Sequence, residues 1–414
     1  MSRGHAPAPG RTAAGATGTR LTGVAMPGRP GHFDLVAEDD RIVSLTPSTE
    51  SRGGVVTPLF TDVHVHLDKT YTISRIGGAG QARVESLFDA IALMEQDRPR
   101  WTAADIRARA NRALENAYRL GVGAMRTHVD WIAPEVPEAW PVLVALREEW
   151  KGRVELQIAA LVRGDLVPSA AGDIAARVRQ DGGVLGAFFY RDEGLAEKVE
   201  TMFALARQHD LDLDFHVDEG LDPEANGFEL IVAATARHGY RDRVLCGHAC
   251  SLAVRTAEEL DRILAAAAEA GVALVALPTS NLYLQDRGEG VSPRRRGIAP
   301  IKEARRAGIA TMLGSDNVGD AFYPYGDYDP LSILRLAATA CQIAPEDWID
   351  SITSLPGRLC SGNLSGLLAE GGPADFIWHA AEDLGELISR PRAERIVYRG
   401  GRPLPANHFD WRNA

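Results

Sequence analysis

The stretch FTDVHVHLDKTYT, residues 60–72, closes an apolar run with two histidines one residue apart. Residues i and i+2 of a strand project from the same face, so a strand here places His64 and His66 side by side. The run itself starts at residue 55, and seven more apolar, β-branched runs follow, at 123–129, 154–162, 184–190, 211–217, 243–249, 272–278 and 309–315. Segments with helical spacing of apolar residues separate them, for example 103–121 and 195–210. Eight strands alternating with helices predict an α/β fold, a (β/α)8 barrel.

An open doubly wound sheet is the structural alternative, but no glycine-rich phosphate loop follows the first strand. The flanking segments contain short alternating strands with Gly and Pro turns, and neither flank is long enough for a core of its own. We therefore predict one small β-sandwich domain built from both chain ends. The predicted division is a disordered tail at 1–19, the sandwich at 20–57 and 355–414, and the barrel at 58–354.

Composition excludes several classes of partner. The 414 residues carry a net charge of −11, whereas nucleic-acid binding calls for a basic face. No run approaches the ~18 apolar residues of a spanning helix, and the N-terminus lacks the apolar core of a secretory signal. The four cysteines read as reduced, mostly buried thiols, although CGHAC at 246–250 also invites a zinc-knuckle interpretation. These features predict a cytoplasmic protein without nucleic-acid or membrane partners.

Polar residues of one chemical kind end several of the predicted strands. The first strand supplies His64 and His66, the fifth His216, the sixth His248 and the eighth Asp316. The C-terminal ends of barrel strands meet on one rim, where functional residues of this fold lie. A single strand-end histidine is usually structural, but this joint set is typical of a site for a divalent cation of intermediate softness.

Glu219 follows His216 by three residues, in HVDEG. A carboxylate just beyond a ligand strand can reach over the site and move protons without binding the metal. Asp218 is the other candidate, and Glu219 is preferred for its longer reach. The alternative is an acid placed at a helix N-terminus, where the helix dipole favours it.

Six motifs together resemble the bacterial cytosine deaminase branch of the amidohydrolase superfamily, which also includes N-isopropylammelide amidohydrolase. They are HVHLDKTYT, MRTHVD, HVDEG, GHACSL, PTSNLYLQDR and GSDNVGDAFYPYGDYDPL, and the resemblance covers residues 20–405 in order. It implies a distorted (β/α)8 TIM barrel with a companion β-sandwich and one divalent metal ion, Zn²⁺ or Fe²⁺.

Carried over by residue, the resemblance makes His64, His66, His216 and Asp316 the metal ligands. Glu219 becomes the proton shuttle, and His248 and Asp316 orient the attacking water. The implied reaction is hydrolytic deamination of an amino-substituted nitrogen heterocycle, which releases ammonia or a small amine. Binuclear relatives add a carbamylated lysine at the end of strand four. Here the first lysine after that strand is Lys198, well into the next helix, so one metal is predicted.

Two positions depart from true cytosine deaminases. Arg163 stands where those enzymes have the glutamine of a Pro-Gln pair, and Asn317 replaces a second aspartate. Both changes make the pocket more positive, and arginine only donates hydrogen bonds. We therefore expect a substrate more acidic or oxygen-rich than cytosine, such as a hydroxylated triazine or a carboxylated heterocycle. Alternatively, Arg163 turns away to pair with Asp165 or Asp192.

Further rim residues are candidate substrate contacts. Phe322 takes the place of an aromatic residue that closes over the base in this family, and Gln285 lies on a loop of the same rim. Two other functions stay open. One is hydrolysis of a cyclic amide or imide by the same site, and the other is a non-catalytic heterocycle-binding relative. The sequence does not fix the oligomeric state, and a homo-oligomer stays open.

Overall fold

The computed structural model describes residues 18–77, 84–360 and 368–405. Most of the predicted tail at 1–19 and the last residues of the predicted sandwich lie outside these ranges. The strands of the described residues are β1 Gly18–Met26, β2 Arg29–Glu38, β3 Arg41–Ser48, β4 Val55–Pro58, β5 Phe60–Val65, β6 Val122–Trp131, β7 Glu155–Arg163, β8 Val184–Phe189, β9 Leu213–Val217, β10 Val244–His248, β11 Ala273–Ala276, β12 Thr311–Leu313, β13 Phe376–His379, β14 Arg395–Arg399 and β15 Arg402–Pro403.

The α-helices alternate with these strands through most of the chain. They are α1 Leu87–Asp97, α2 Ala103–Arg119, α3 Ala139–Trp150, α4 Val167–Gln180, α5 Leu195–His209, α6 Gly227–His238, α7 Ala257–Ala270, α8 Pro278–Leu284, α9 Ile301–Arg306, α10 Pro330–Ala340, α11 Ser354–Cys360 and α12 Leu384–Ser389. Local signals fix several of their ends. Thr256 and Glu259 form a reciprocal capping box at the start of α7, which satisfies two otherwise unpaired backbone N–H groups.

The barrel is a parallel sheet of eight strands in the order β12-β11-β10-β9-β8-β7-β6-β5. A bridge between Val65 and Asp316 brings the two edge strands together, and the Asp316 amide donates to the His64 carbonyl at 2.8 Å. Residues on both faces of these strands are buried, because helices cover the outside of the barrel and side chains fill its inside. The predicted (β/α)8 fold is confirmed.

The second sheet joins both chain ends, in the order β15-β14-β13-β4-β1-β2-β3. It therefore confirms the expectation that the flanks fold together. One predicted strand, 55–65, is in fact two: β4 belongs to this sheet and β5 to the barrel, with Leu59 between them. The exact bounds of the two predicted domains stay a prediction.

The second sheet has its own small core and also packs on the barrel. Phe376 and Tyr398 stack within that core, with ring centroids 4.6 Å apart. On the barrel side, Ile377 lies against Gly121, where a Cβ atom would stand 2.3 Å from the Ile377 Cδ1 atom. Gly121 also has φ +91°, so both space and backbone conformation require glycine at this junction. Among the described residues, none of the helices is long and apolar enough to span a bilayer.

Candidate metal centre

Four side chains from three parts of the barrel converge on one point at its C-terminal rim. The Nε2 atoms of His66 and His216 are 3.1 Å apart. An oxygen of Asp316 lies 3.2 Å from His66 Nε2 and 3.5 Å from His64 Nε2. Ligands about 2.0–2.1 Å from a tetrahedral Zn²⁺ ion would stand roughly 3.3 Å from one another, so these spacings suit a single small cation.

The chemical state of these side chains also fits a cation. His64 Nε2 and Asp316 Oδ1 are buried, and neither makes a hydrogen bond within the described part of the chain. Burial lowers the pKa of His66 to about 3, and it lowers the pKa of His64 and His216 as well. The imidazoles are therefore neutral at physiological pH, which is the state that binds metals. Unpaired buried polar atoms are costly, and a bound divalent ion would satisfy them.

The backbone is shaped to bring these side chains together. Gly247 in β10 lies against the His64 ring, and a Cβ atom there would stand 2.8 Å from His64 Cε1. Asp316 itself has φ +59°, a strained conformation for a residue other than glycine. The carboxylate of Asp62 accepts the Ser315 amide at 3.2 Å and so holds the Asp316 segment against β5. Strain of this kind is characteristic of functional sites.

A layer of polar residues lies directly behind the cluster. The rings of His128 and His64 lie with centroids 4.2 Å apart and planes inclined at 36°, and His128 Nε2 is 3.1 Å from Asp214. Arg126 donates to the other oxygen of Asp214 at 2.6 Å. His128 and Arg126 lie on β6, and Asp214 lies on β9 two residues before His216.

The neighbourhood of the cluster holds more potential ligands than one small ion needs. His128 and His248 each belong to a group of four ligand atoms lying within 4.8 Å of one another. The assignment of His64, His66, His216 and Asp316 as the ligands, with His248 outside the set, therefore stays a prediction. Ser280 donates a hydrogen bond to the second oxygen of Asp316 and orients that carboxylate.

Glu219 lies beside the cluster, with one oxygen 3.3 Å from His248 Nδ1. Burial raises the pKa of Glu219 well above its usual value, and the carboxylate of Asp316 acts in the same direction. Asn281 contacts the same His248 nitrogen at 3.1 Å. The alternative carboxylate, Asp218, instead accepts the Gly227 and Phe228 amides at the start of α6. Of the two acids, only Glu219 lines the cavity at the cluster.

This cavity, called here the inner cavity, has a volume of about 140 Å³. Helix α1 forms one wall through Leu87, Ile91, Met94 and Glu95, a role that the sequence analysis did not assign. Lys69 also lines the inner cavity, so the predicted metal ligands and an ammonium group face one small space.

Lys69 is the centre of a buried ion-pair network. Its Nζ donates to one oxygen of Asp130 at 2.7 Å, and Arg98 donates to the other at 3.2 Å. The carboxylates around Lys69 outweigh the effect of burial and raise its pKa, so it stays charged. Asp68 accepts the Asp130 amide at 3.1 Å. Lys69 follows strand β5 and Asp130 is the penultimate residue of the neighbouring β6, so the two side chains meet at the same rim.

The predicted substrate contacts have different surroundings. Asn317 and Phe322 are buried and line the inner cavity, and Lys69 Nζ lies 4.9 Å from the Phe322 ring centroid. Gln285 lies outside the inner cavity and donates to the Glu219 carbonyl at 3.3 Å. Arg163 reaches the inner cavity wall, but its guanidinium pairs with Asp165 at 2.6 and 2.8 Å, the alternative considered above.

Two further expectations concern other metal chemistry. Lys198 lies in α5 and pairs with Asp192 at 3.3 Å, outside both groups of clustered ligand atoms. Cys246 and Cys250 are buried free thiols, and neither belongs to those groups.

Comparisons with known proteins agree with this geometry. Residues 175–404 match the model of the family described as Amidohydro_3, amidohydrolase family. A pterin deaminase from Rhizobium rhizogenes (strain K84) is 33% identical over 422 residues, covering 99% of this chain and 94% of that protein.

Two solved structures have the same fold. The 5-methylcytosine deaminase of Klebsiella pneumoniae, liganded with 5-fluorocytosine, superposes with a TM-score of 0.82 at 25% identity. The superposition covers 96% of this chain and 100% of the deaminase chain. The N-isopropylammelide isopropylaminohydrolase of Burkholderia multivorans gives 0.75 at 25% identity over 94% and 98% of the two chains.

The match to a family model over more than half of the chain and the full-length similarity to a deaminase agree with the buried His and Asp cluster. They identify a hydrolase of C–N bonds other than peptide bonds. The chain belongs to the amidohydrolase family, in its branch of heterocycle deaminases.

Proposed function

We propose that this protein deaminates a 2-amino-4-oxo nitrogen heterocycle of the pterin type with the help of one divalent metal ion. The main observation that supports metal-assisted deamination is the buried cluster of neutral imidazoles and one carboxylate beside Glu219 in the inner cavity. The substrate class rests on the full-length similarity to a pterin deaminase.

His64, His66, His216 and Asp316 would hold the metal, which suits Zn²⁺ or Fe²⁺ because the donors are imidazole nitrogens and one carboxylate oxygen. When bound, such an ion polarises its ligands and lowers the pKa of water toward neutrality. His248 faces the same point as these four side chains. Together with Asp316, it orients the attacking water there. The buried surroundings strengthen these interactions, since little bulk water screens them.

Glu219 moves the protons. It takes a proton from the attacking water and gives it to the ring nitrogen, and a second transfer protonates the departing amine. The carbon–nitrogen bond of the amino group breaks as the new carbonyl forms, so substrate and water become the oxo product and ammonia. The raised pKa of Glu219 suits both roles, because an acid–base group works best when its pKa is near the working pH.

Lys69 and Asn317 give the inner cavity the polarity that an oxo-heterocycle needs. Lys69 carries three N–H donors, and among the described residues only Asp130 accepts a hydrogen bond from it. A ring carbonyl or a deprotonated ring nitrogen is a suitable acceptor for another of these donors. Phe322 lies on the same wall and offers an aromatic face for the flat ring.

An ammonia-release screen of the metal-loaded protein tests this function. Pterin, cytosine, a hydroxylated amino-triazine and a cyclic imide are compared, with ring absorbance followed in parallel. We expect pterin to reach kcat/KM of about 10⁴ M⁻¹s⁻¹ or better, at least a hundredfold above cytosine. Preferred turnover of cytosine, or ring opening without ammonia, contradicts the proposal.

The role of Glu219 is tested with Glu219→Gln, which keeps the shape of the side chain and removes its acid–base function. We expect kcat to fall by about 10²–10⁴-fold while pterin binding, measured by fluorescence quenching, is retained. Glu258→Gln, at an exposed position in α7, is the matched control and should leave both values unchanged. Unchanged kcat in Glu219→Gln would exclude the proton-transfer role of Glu219, whereas ligand binding without turnover in the parent protein would point to a binding protein without this chemistry.

A further inference from the structure

A second concavity lies directly beside the inner cavity and is called here the outer basin. It has a volume of about 500 Å³ and is bounded by residues 85–88, Tyr190, residues 219–223 and residues 284–287. Leu87 and Glu219 line both spaces, so the outer basin adjoins the inner cavity across a shared wall. The proposed deamination takes place in the inner cavity and does not use the outer basin.

Two aromatic side chains, Phe88 and Tyr190, line the outer basin. Phe88 is 58% exposed, although large apolar side chains of this protein are mostly buried. Its ring centroid is 6.1 Å from that of Tyr190, with the planes inclined at 49°. Tyr190 is held close to the chain at Gly220, where a Cβ atom would stand 2.3 Å from the Tyr190 hydroxyl oxygen. The loop after β9 is thus shaped to accept this tyrosine.

Three charged groups of the outer basin are already engaged. Asp222 pairs with Arg191 at 2.5 Å, and Asp286 accepts the Arg295 amide at 2.8 Å. The Arg287 guanidinium lies over the Tyr283 ring, 4.3 Å from its centroid. What the outer basin offers to a ligand is therefore chiefly aromatic and apolar surface, with no cluster of cations for an anionic group.

We propose that the outer basin binds an aromatic substituent carried by the heterocyclic substrate. This inference rests on the proposed function, because it assumes that the amino-bearing ring occupies the inner cavity. Glu219 must come within hydrogen-bond reach of the reacting atoms, which places the ring against the shared wall. A volume of about 140 Å³ holds a small ring system, and a further aryl group has to continue past Leu87 into the outer basin, toward Phe88 and Tyr190.

Steady-state kinetics with four probes test the inference: pterin, 6-phenylpterin, 7-phenylpterin and 6-carboxypterin. We expect one phenyl isomer to have a KM about tenfold below that of pterin, which corresponds to about 1.4 kcal/mol, with a similar kcat. Binding energy shared equally by ground and transition states lowers KM alone. Phe88→Ala and Tyr190→Ala should each reduce the phenyl preference to threefold or less. Val43→Ala, at an exposed apolar position in the second sheet, should preserve it.

The outcomes separate the two proposals. If pterin is deaminated but neither phenyl isomer has a lower KM, the inference about the outer basin is wrong and the proposed function stands. The same holds if Phe88→Ala and Tyr190→Ala leave the preference intact, or if 6-carboxypterin gains as much as the phenyl compounds. If no probe releases ammonia, the proposed function itself fails and the inference falls with it.

Discussion

The buried pair of Lys69 and Asp130 allows a quantitative test of how the inner cavity is held together. The side chains are 5% and 7% exposed, and Lys69 Nζ is 2.7 Å from Asp130 Oδ1. At an effective dielectric constant of ~20, two unit charges at that distance attract by roughly 6 kcal/mol before desolvation is counted. Removing one partner of a buried pair typically costs about 3–5 kcal/mol, because the remaining charge is left uncompensated.

The two single variants should differ in their loss of unfolding free energy, because the remaining charge has different neighbours in each. In Lys69→Met, Asp130 keeps its contact with Arg98 at 3.2 Å, so we expect a loss of about 3 kcal/mol in the free energy of unfolding. In Asp130→Asn, Lys69 loses its hydrogen-bonded partner and keeps only the more distant charges of Asp68 and Asp320, and we expect about 4 kcal/mol. The double variant removes both charges, and its loss should fall short of the sum by about 2 kcal/mol.

Chemical denaturation of the metal-loaded protein measures these values, and an unchanged m-value shows that the same transition is being compared. Lys198→Met is the matched control, since Lys198 pairs with Asp192 at a partly exposed site, and its cost should stay under about 1 kcal/mol. Two results would refute the reasoning. One is additivity of the two substitutions within about 0.5 kcal/mol, and the other is a Lys69→Met variant as stable as the parent.

Two further predictions concern Asp316, a predicted metal ligand, and the nearby Asp320. Ser280→Ala removes the hydrogen bond that orients Asp316 and should weaken Zn²⁺ affinity by about 10–100-fold; competition with a chromogenic chelator measures this, and unchanged affinity would exclude the orienting role. Burial raises the pKa of Asp320 to about 7, above its unfolded value, so its contribution to stability is present at low pH and is lost as pH rises through 7. Asp320→Asn should therefore flatten the decline in unfolding free energy between pH 4 and 7, by at most about 1.4 kcal/mol per pH unit, and an unaltered slope would contradict the assignment.

Strand periodicity explains why much of the candidate site could be predicted from the sequence. A period of two puts His64 and His66 on one face, and the parallel barrel brings the ends of all strands to one rim. These are local and topological rules, so they hold before any distance is known. They do not say which of several nearby histidines bind. His128 and His248 both lie within ligand distance of the cluster, and that proximity depends on the closure of the barrel.

By itself, the sequence determined the alternation of strands and helices, the joining of the two chain ends in one small β-domain, and the candidate ligands at the strand ends. Only the tertiary structure decided that the run 55–65 divides between two sheets, that Arg163 pairs with Asp165, and that Lys69 pairs with Asp130. The physical reason is that hydrophobic periodicity depends only on residues close together in the sequence. The partner of a charged side chain is instead chosen by competition among carboxylates brought together from distant parts of the chain.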